Sequence, residues 1–350
     1  MRDWKRVDFG RKKQIIVLCC ALMLLWLILA GPNRIADSTM VLTDQRLGRG
    51  VVVDHIRGQD VYWEYPKSQS PVKGVLVFMH GCNHGGGDLW PPSPQCPHCL
   101  GLPEEMRLRR AALRHELFLM GISSLNRTGK RCWHELKADG GKNVARIIQD
   151  VLNRQRLTRF PLFLVGASSG GQMVLSLPSR LQKDVQISVT GVYAQIRGLP
   201  PENELPVFYQ GYPPTAFVHM PRDGYNEPMI QHNMGTLRGL GTPILDVEIH
   251  PRPLTVDFFT SRSPLINARM AKDIIAALRD AKMVDSNNFL VTNPRGATRR
   301  WSGYVQPVVG NLSLVLDESH VGELLNVAWA KHELVGDHAD RVLEWLGDQG

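Results

Sequence analysis

The chain has 350 residues, of which 43% are hydrophobic, 21% charged and 7% aromatic. That balance excludes a collagen, a coiled coil, a polytopic membrane protein and a wholly disordered chain. Half of the net charge of +8 sits in residues 1–13, which hold six basic and two acidic side chains. The remainder is too dilute for the clustered basic face that nucleic acid requires, so no nucleic-acid partner is expected.

Behind the basic flank and Gln14 runs an uncharged apolar stretch, Ile15 to Gly31, stopped by Pro32. At ~1.5 Å of rise per residue it reaches the lower limit for crossing a hydrocarbon core of roughly 30 Å. A cleaved signal peptide would share the basic start, but Ile28–Ala30 is a poor small-residue cleavage site. A buried core helix is disfavoured because residues 15–30 have no polar face. Charge asymmetry keeps the N-terminus cytosolic and exports the rest. The expected organisation is a basic tail (1–13), a transmembrane signal-anchor (14–31), a linker (32–47) and one domain (48–350) in the secretory-pathway lumen or outside the cell. Cys19 and Cys20 fall within the apolar run. Cys82, Cys96, Cys99 and Cys132 make an even set in an exported domain, which points to two disulfides in any of three pairings. Asn126 and Asn311 each open an Asn-x-Ser/Thr sequon and are glycosylation candidates.

From residue 48 the pattern alternates. Residues 50–58 and 61–66 read as a hairpin, and the apolar run 74–81 as a strand buried on both faces. Pro103-Glu-Glu opens a helix to about His115, with proline and acids suited to its N-terminus. Strand 117–125, helix 142–154, strand 161–167 and helix 170–177 follow. Then come strands 185–194 and 215–220, a helix near 227–239 and strand 244–250. Strands alternating with helices predict an α/β fold with a mostly parallel, doubly wound sheet and helices on both faces.

The chemistry centres on Gly166-Ala167-Ser168-Ser169-Gly170-Gly171, between the strand Pro161–Val165 and a helical pattern. Gly-x-Ser-x-Gly in that setting is a nucleophile elbow, which presents the serine hydroxyl above the sheet at a helix N-terminus. The bland alternative is an ordinary glycine-rich turn. A second motif, His80-Gly81-Cys82-Asn83-His84-Gly85-Gly86-Gly87, ends the strand at 74–79. No Gly-Lys-Ser/Thr follows it, which excludes a P-loop. With these two motifs in this order, residues 48–349 resemble the α/β-hydrolase superfamily. They are most similar to membrane-anchored hydrolase-like proteins of plants and algae, which share the Gly-Cys-x-His loop, a Cys-Pro-x-Cys segment and the Gly-Ala-Ser-Ser-Gly-Gly elbow. The resemblance implies Ser168 as nucleophile and the N–H groups of Ser169 and of Cys82 or Gly81 as oxyanion donors. It also implies an acid, then a histidine, later in the chain.

Asp223 follows strand 215–220 in Met-Pro-Arg-Asp, 55 residues after Ser168, and is the preferred acid, with Asp257 in reserve. His332 precedes the terminal helix near 337–347 and is the preferred histidine by placement. His250 and His320 are alternatives, because about 80 residues separate strand 244–250 from His332. Cys96-Pro97-His98-Cys99 lacks the βαβ setting of a thioredoxin-like site. Zinc on Cys96 and Cys99 with Cys82, His84, His98, Cys132 or His134 matches no standard finger spacing, so no metal and no cofactor are expected. The expectation is a membrane-anchored serine hydrolase of a small acyl substrate, an ester or thioester. The rival is a catalytically inactive hydrolase-like binding or assembly protein. Oligomeric state is not legible.

The anchor has a direct test. In sealed membranes the body should be shielded from added protease and should resist alkaline carbonate extraction. A soluble, N-terminally trimmed product would select the signal peptide instead.

Overall fold

Among the described residues, eight strands make one mixed sheet in the order β1-β2-β4-β3-β5-β6-β7-β8. The computed structural model describes residues 47–67, 71–133, 140–201 and 207–349. All of them belong to one compact unit, Asp44–Gly350. The expected anchor lies outside the described residues, and among those described no helix is long and apolar enough to cross a membrane.

β1 (Val52–Ile56) and β2 (Gln59–Glu64) form the expected hairpin. Its turn residues Arg57 and Gly58 both have positive φ, the backbone twist that suits a two-residue hairpin. β2 then pairs antiparallel with β4 (Leu117–Ile122). The remaining neighbours are parallel: β3 (Gly74–Met79), β5 (Leu162–Ala167), β6 (Gly191–Gln195), β7 (Thr215–His219) and β8 (Ile244–Glu248).

Successive side chains of a strand point to opposite faces, and here they feed two separate cores. Leu76, Phe78, Phe163, Val165 and Val218 face one. It is covered by α1 (Pro103–Arg114) and, near the C-terminus, by a helix at Ala339–Asp348. Val75, Val77, Leu162, Leu164 and Phe217 face the other, beneath α2 (Gly140–Gln155), α3 (Ser169–Val185) and α4 (Glu227–Gly239). Apolar side chains on both faces explain why β3, β4 and β5 are buried at every residue.

Two boundaries differ most from those expected. α3 runs on through Pro178 to Val185, because Leu177 and Leu181 are fully buried and hold the helix past the lost N–H. The apolar residues Ile187 and Val189 pack against the core from a loop, and β6 begins only at Gly191. The 80-residue stretch after β8 is helical: α5 (Val256–Thr260), α6 (Ala268–Asp280), α7 (Thr298–Val309) and α8 (His320–Trp329) precede the terminal helix, α9. Phe259, Ile274, Trp301, Val305 and Leu324 join the first core, so the insertion is continuous with the sheet's own packing.

Disulfides link Cys82 to Cys132 and Cys96 to Cys99. The first ties the loop after β3 to the loop after β4. Nearby, the fully buried carboxylate of Glu64 accepts hydrogen bonds from Arg109 Nε (2.6 Å) and Nη2 (3.0 Å), Trp90 Nε1 (2.7 Å) and Gly50 N–H (2.8 Å). That ion pair joins β2, α1 and the segment between them. Removing one member of a buried pair strands the other charge. Arg109→Met should therefore cost ~3–5 kcal/mol, read as a lower urea midpoint at unchanged slope, while Glu64→Gln/Arg109→Met should recover part of the loss.

Candidate active site

Ser168 sits between β5 and α3 with φ 54° and ψ −118°, outside the regions ordinary L-residues occupy. Packing enforces that geometry. A Cβ at Gly170 would lie 2.0 Å from the carbonyl oxygen of Met79, and one at Gly166 2.3 Å from that of Gly170. Only glycine admits so close a crossing of α3 over the ends of the strands. The Ser168 N–H donates to the Gln195 carbonyl at the end of β6 (3.0 Å), and its carbonyl accepts from Gln172 N–H (3.1 Å). Ser168 itself is half-buried there.

Asp223 lies in the turn after β7 and His332 in the loop between α8 and α9. His332 Nε2 is 2.9 Å from Ser168 Oγ, and its Nδ1 is 2.6 Å from Asp223 Oδ2. The three side chains form one hydrogen-bonded line. Asn226 fixes the acid: its Nδ2 donates to Asp223 Oδ2 (2.6 Å) and its N–H to Oδ1 (3.3 Å). Burial alone would raise the Asp223 carboxyl. The hydrogen bonds from His332 and Asn226 hold it below the usual carboxylate range. Asn226 in turn receives Arg197 Nη1 (3.4 Å), whose Nε donates to Gln172 on α3 (3.2 Å).

The alternatives lie elsewhere. His250 is exposed beside Glu248, 3.2 Å away. His320 is buried with Nδ1 at 2.8 Å from Ser263 Oγ. Asp257 is exposed in the first turn of α5. Of the glycosylation candidates, Asn311 is exposed and Asn126 half-buried.

Gly81 lies against the serine: a Cβ there would be 3.6 Å from Ser168 Cβ. His80, fully buried, shapes this loop. Its Nε2 accepts the Ser124 N–H (3.0 Å), so Nδ1 carries the proton and donates to the Gly81 carbonyl (2.6 Å). In a trans peptide the carbonyl and the following N–H point in opposite directions. Tethering the Gly81 carbonyl thus aims the Cys82 N–H away from the imidazole. Among the described residues, the N–H groups of Gly81, Cys82 and Ser169 have no acceptor. Trp133 Nε1 donates to the His80 carbonyl (2.9 Å), and Asn83 N–H to the Lys130 carbonyl (2.6 Å). With the Cys82–Cys132 disulfide, these bonds brace the loop. Both thiols of Cys96-Pro-His-Cys99 are consumed in their own disulfide. Among the described residues no group of three or more His, Cys, Asp or Glu side chains is placed to hold a metal ion, and His134 lies outside them.

Under the loop lies a group of buried ionisable residues that no motif signals: His84, Asp88, Glu105, Glu323 and Glu333. Burial disfavours the charged form of His84. Its hydrogen bond to Asp88 (3.2 Å), with the charges of Glu105, Asp88 and Glu333, prevails and lifts the imidazole to about 9. Burial pushes Glu105 up to about 7 and drives His80 down to about 3. Asn226 was the more findable omission. Asp-Gly-Tyr-Asn is a side-chain-bonded turn signature, with asparagine three residues after the acid.

No protein-family model and no curated protein sequence matches the chain. Among solved structures it is similar to a thermostable esterase from Pseudomonas putida (10% identity, 57% of this chain and 72% of that one, TM-score 0.40). It is also similar to an arylesterase (12%, 65% and 87%, 0.40) and to an esterase from Pyrobaculum calidifontis (13%, 62% and 80%, 0.41). Likeness at this level carries nothing about substrate or mechanism.

The histidines give the site a pH signature. An unfolded histidine titrates near ~6.5, so the stability that His84 contributes is complete below that pH and is lost as pH rises through about 9. The difference in melting temperature between the wild type and His84→Gln should therefore shrink between pH 6.5 and 9. A constant difference across that window would show that His84 is neutral in the fold.

Proposed function

We propose that this chain is a serine hydrolase that cleaves a carboxylic ester or thioester. The observation that carries this reading is the hydrogen-bonded line Ser168–His332–Asp223 ending on a serine in strained backbone geometry. A strained residue persists only where its surroundings over-determine it, and such residues cluster at active sites.

In this reading His332 Nε2 removes the Ser168 proton as Oγ attacks the substrate carbonyl. Asp223, held by Asn226, keeps the proton on His332 Nδ1 and stabilises the imidazolium. The tetrahedral oxyanion is met by the N–H groups of Ser169 and of Cys82 or Gly81, pre-aimed by the bonds around His80. Collapse expels the alcohol or thiol, which takes the proton from His332. Water then repeats the sequence on the acyl-enzyme.

The two disulfides support an oxidising compartment. The basic flank and apolar run support a signal-anchor of the kind carried by the plant and algal hydrolase-like proteins. The substrate preference for an ester or thioester over a peptide is likewise part of the proposal.

Ser168→Ala should abolish turnover of short-chain aryl esters and labelling by a fluorophosphonate, with the fold retained because alanine leaves the flanking glycines in place. His332→Ala should cost about as much, since members of such a unit are not additive. Asp223→Asn should lower kcat by ~10³–10⁴, while His250→Ala and His320→Ala keep most activity. Undiminished turnover by purified Ser168→Ala would leave only a binding or assembly role for the fold.

A further inference from the structure

We propose that Arg295 and Asp317, both from the helical insertion, are positioning residues that lock the oxyanion loop to the histidine loop. This rests on the serine-hydrolase reading and deepens it.

Asn83 follows Cys82, a candidate oxyanion donor, and its Nδ2 donates to Asp317 Oδ2 at 2.8 Å. Arg295 Nη1 pairs with the other oxygen, Asp317 Oδ1. Its Nη2 donates to Glu333 Oε2 at 2.9 Å, and Glu333 is the residue after His332. Asn326 on α8 donates to the same Glu333 oxygen at 3.0 Å. One unbroken chain of bonds thus runs Asn83–Asp317–Arg295–Glu333, and each end is covalently adjacent to a working group. The side chains of Asp317 and Glu333 are only 5% and 8% exposed, so water does not readily replace these partners.

The guanidinium suits this task. It is planar, permanently charged and forked, so one arm can bind each carboxylate, whereas an ammonium offers a point charge with no fixed angle between partners. The oxyanion donors and the general base must hold their relative places to within a fraction of an ångström during attack, and a displacement of ~1 Å can cost about 100-fold in rate. Among the described residues, His84 and Glu333 interact across the two loops through their charges alone, which sets no angle between them. The insertion supplies a hydrogen-bonded link between them, in addition to the bonds that tie each loop to the ends of the core strands.

The test uses the full chain, with active sites counted by fluorophosphonate titration and turnover of a short-chain aryl ester expressed per titrated site. Arg295→Met and Asp317→Asn should each lower kcat per site about 10–100-fold with KM changed less than about threefold. Their double variant should be no worse than the poorer single, because one chain of bonds is broken only once. Arg295→Lys should recover part of the loss. A merely structural role would lower the fraction of sites that titrate and leave kcat per site intact, and that result overturns the proposal. Because Arg295→Met strands two buried carboxylates, Arg295→Met/Asp317→Asn/Glu333→Gln removes the charges together. Asn83→Ala breaks the chain at its half-buried end and leaves only the paired Asp317 behind. Wild-type kcat per site in either of these variants also overturns it. If Ser168→Ala retains turnover, the hydrolase reading fails first, and these variants then have no site to count.

Discussion

Where α3 leaves β5, its second residue, Gly170, presses against the carbonyls of Met79 and His80 at the end of β3, with no space for even one methyl group between them. The crossing forces Ser168 into its strained turn, sets Gly81 beside it, and brings the first N–H of α3 to the same point as the loop after β3. Gln195 at the end of β6 holds both sides of the arrangement. Its carbonyl accepts the Ser168 N–H, and its Oε1 accepts the Val335 N–H (3.0 Å) from the loop that carries His332. The serine, the loop after β3 and the loop that carries His332 are thus all referred to the ends of three adjacent parallel strands. The helices behind them serve chiefly to keep those strand ends in register.

A second layer of constraint is ionic. Asp337, five residues beyond His332, accepts from Arg107 (2.7 Å), Arg252 (2.6 Å) and Arg262 (2.7 and 2.8 Å), and Glu104 accepts from Arg262 (3.3 Å) and from Gly336 N–H (2.7 Å). Glu323 on α8 caps the start of α1 by accepting the Glu104 N–H at 2.9 Å. Desolvation offsets most of the Coulombic gain of such pairs, so their net stabilisation is small. Their effect is felt in alternatives: any packing of α1, the insertion and the histidine loop that separates a partner leaves a charge unpaired in the interior. The arrangement is thereby made unique rather than merely stable.

Much of this was legible in the residues. Strands buried on both faces announce themselves as unbroken apolar runs, as at 74–79 and 162–167, and the elbow is a local feature whose glycines and serine are contiguous. Asp223 and His332 were reachable through chain order and position relative to strands and helices. What was not legible is non-local or non-periodic. Nothing near Asn83 indicates that its partner lies 234 residues away, and nothing near Cys82 selects Cys132 from the other cysteines. Glu105 reads as an acid suited to a helix N-terminus, and nothing in its local pattern shows that it is buried or that it lies near Glu323. Pro178 reads as a stop, yet tertiary packing carries α3 past it. In each case a contact distant in the chain overrides a local preference.

The order of these parts along the chain also governs when they can meet. Ser168 precedes His332 by 164 residues, and the bond from Asn83 waits for Asp317, still further from its start. At ~5–20 residues per second of synthesis, roughly 8–30 s separate the appearance of the serine from that of its histidine. The stretch from α8 to α9 carries the histidine, the Glu333 carboxylate and a helix that covers the sheet. A growing polypeptide therefore completes the turn at Ser168 well before the histidine that bonds to it is made. Ribosome-bound or truncated chains that stop short of His332 lack the hydrogen-bonded line altogether.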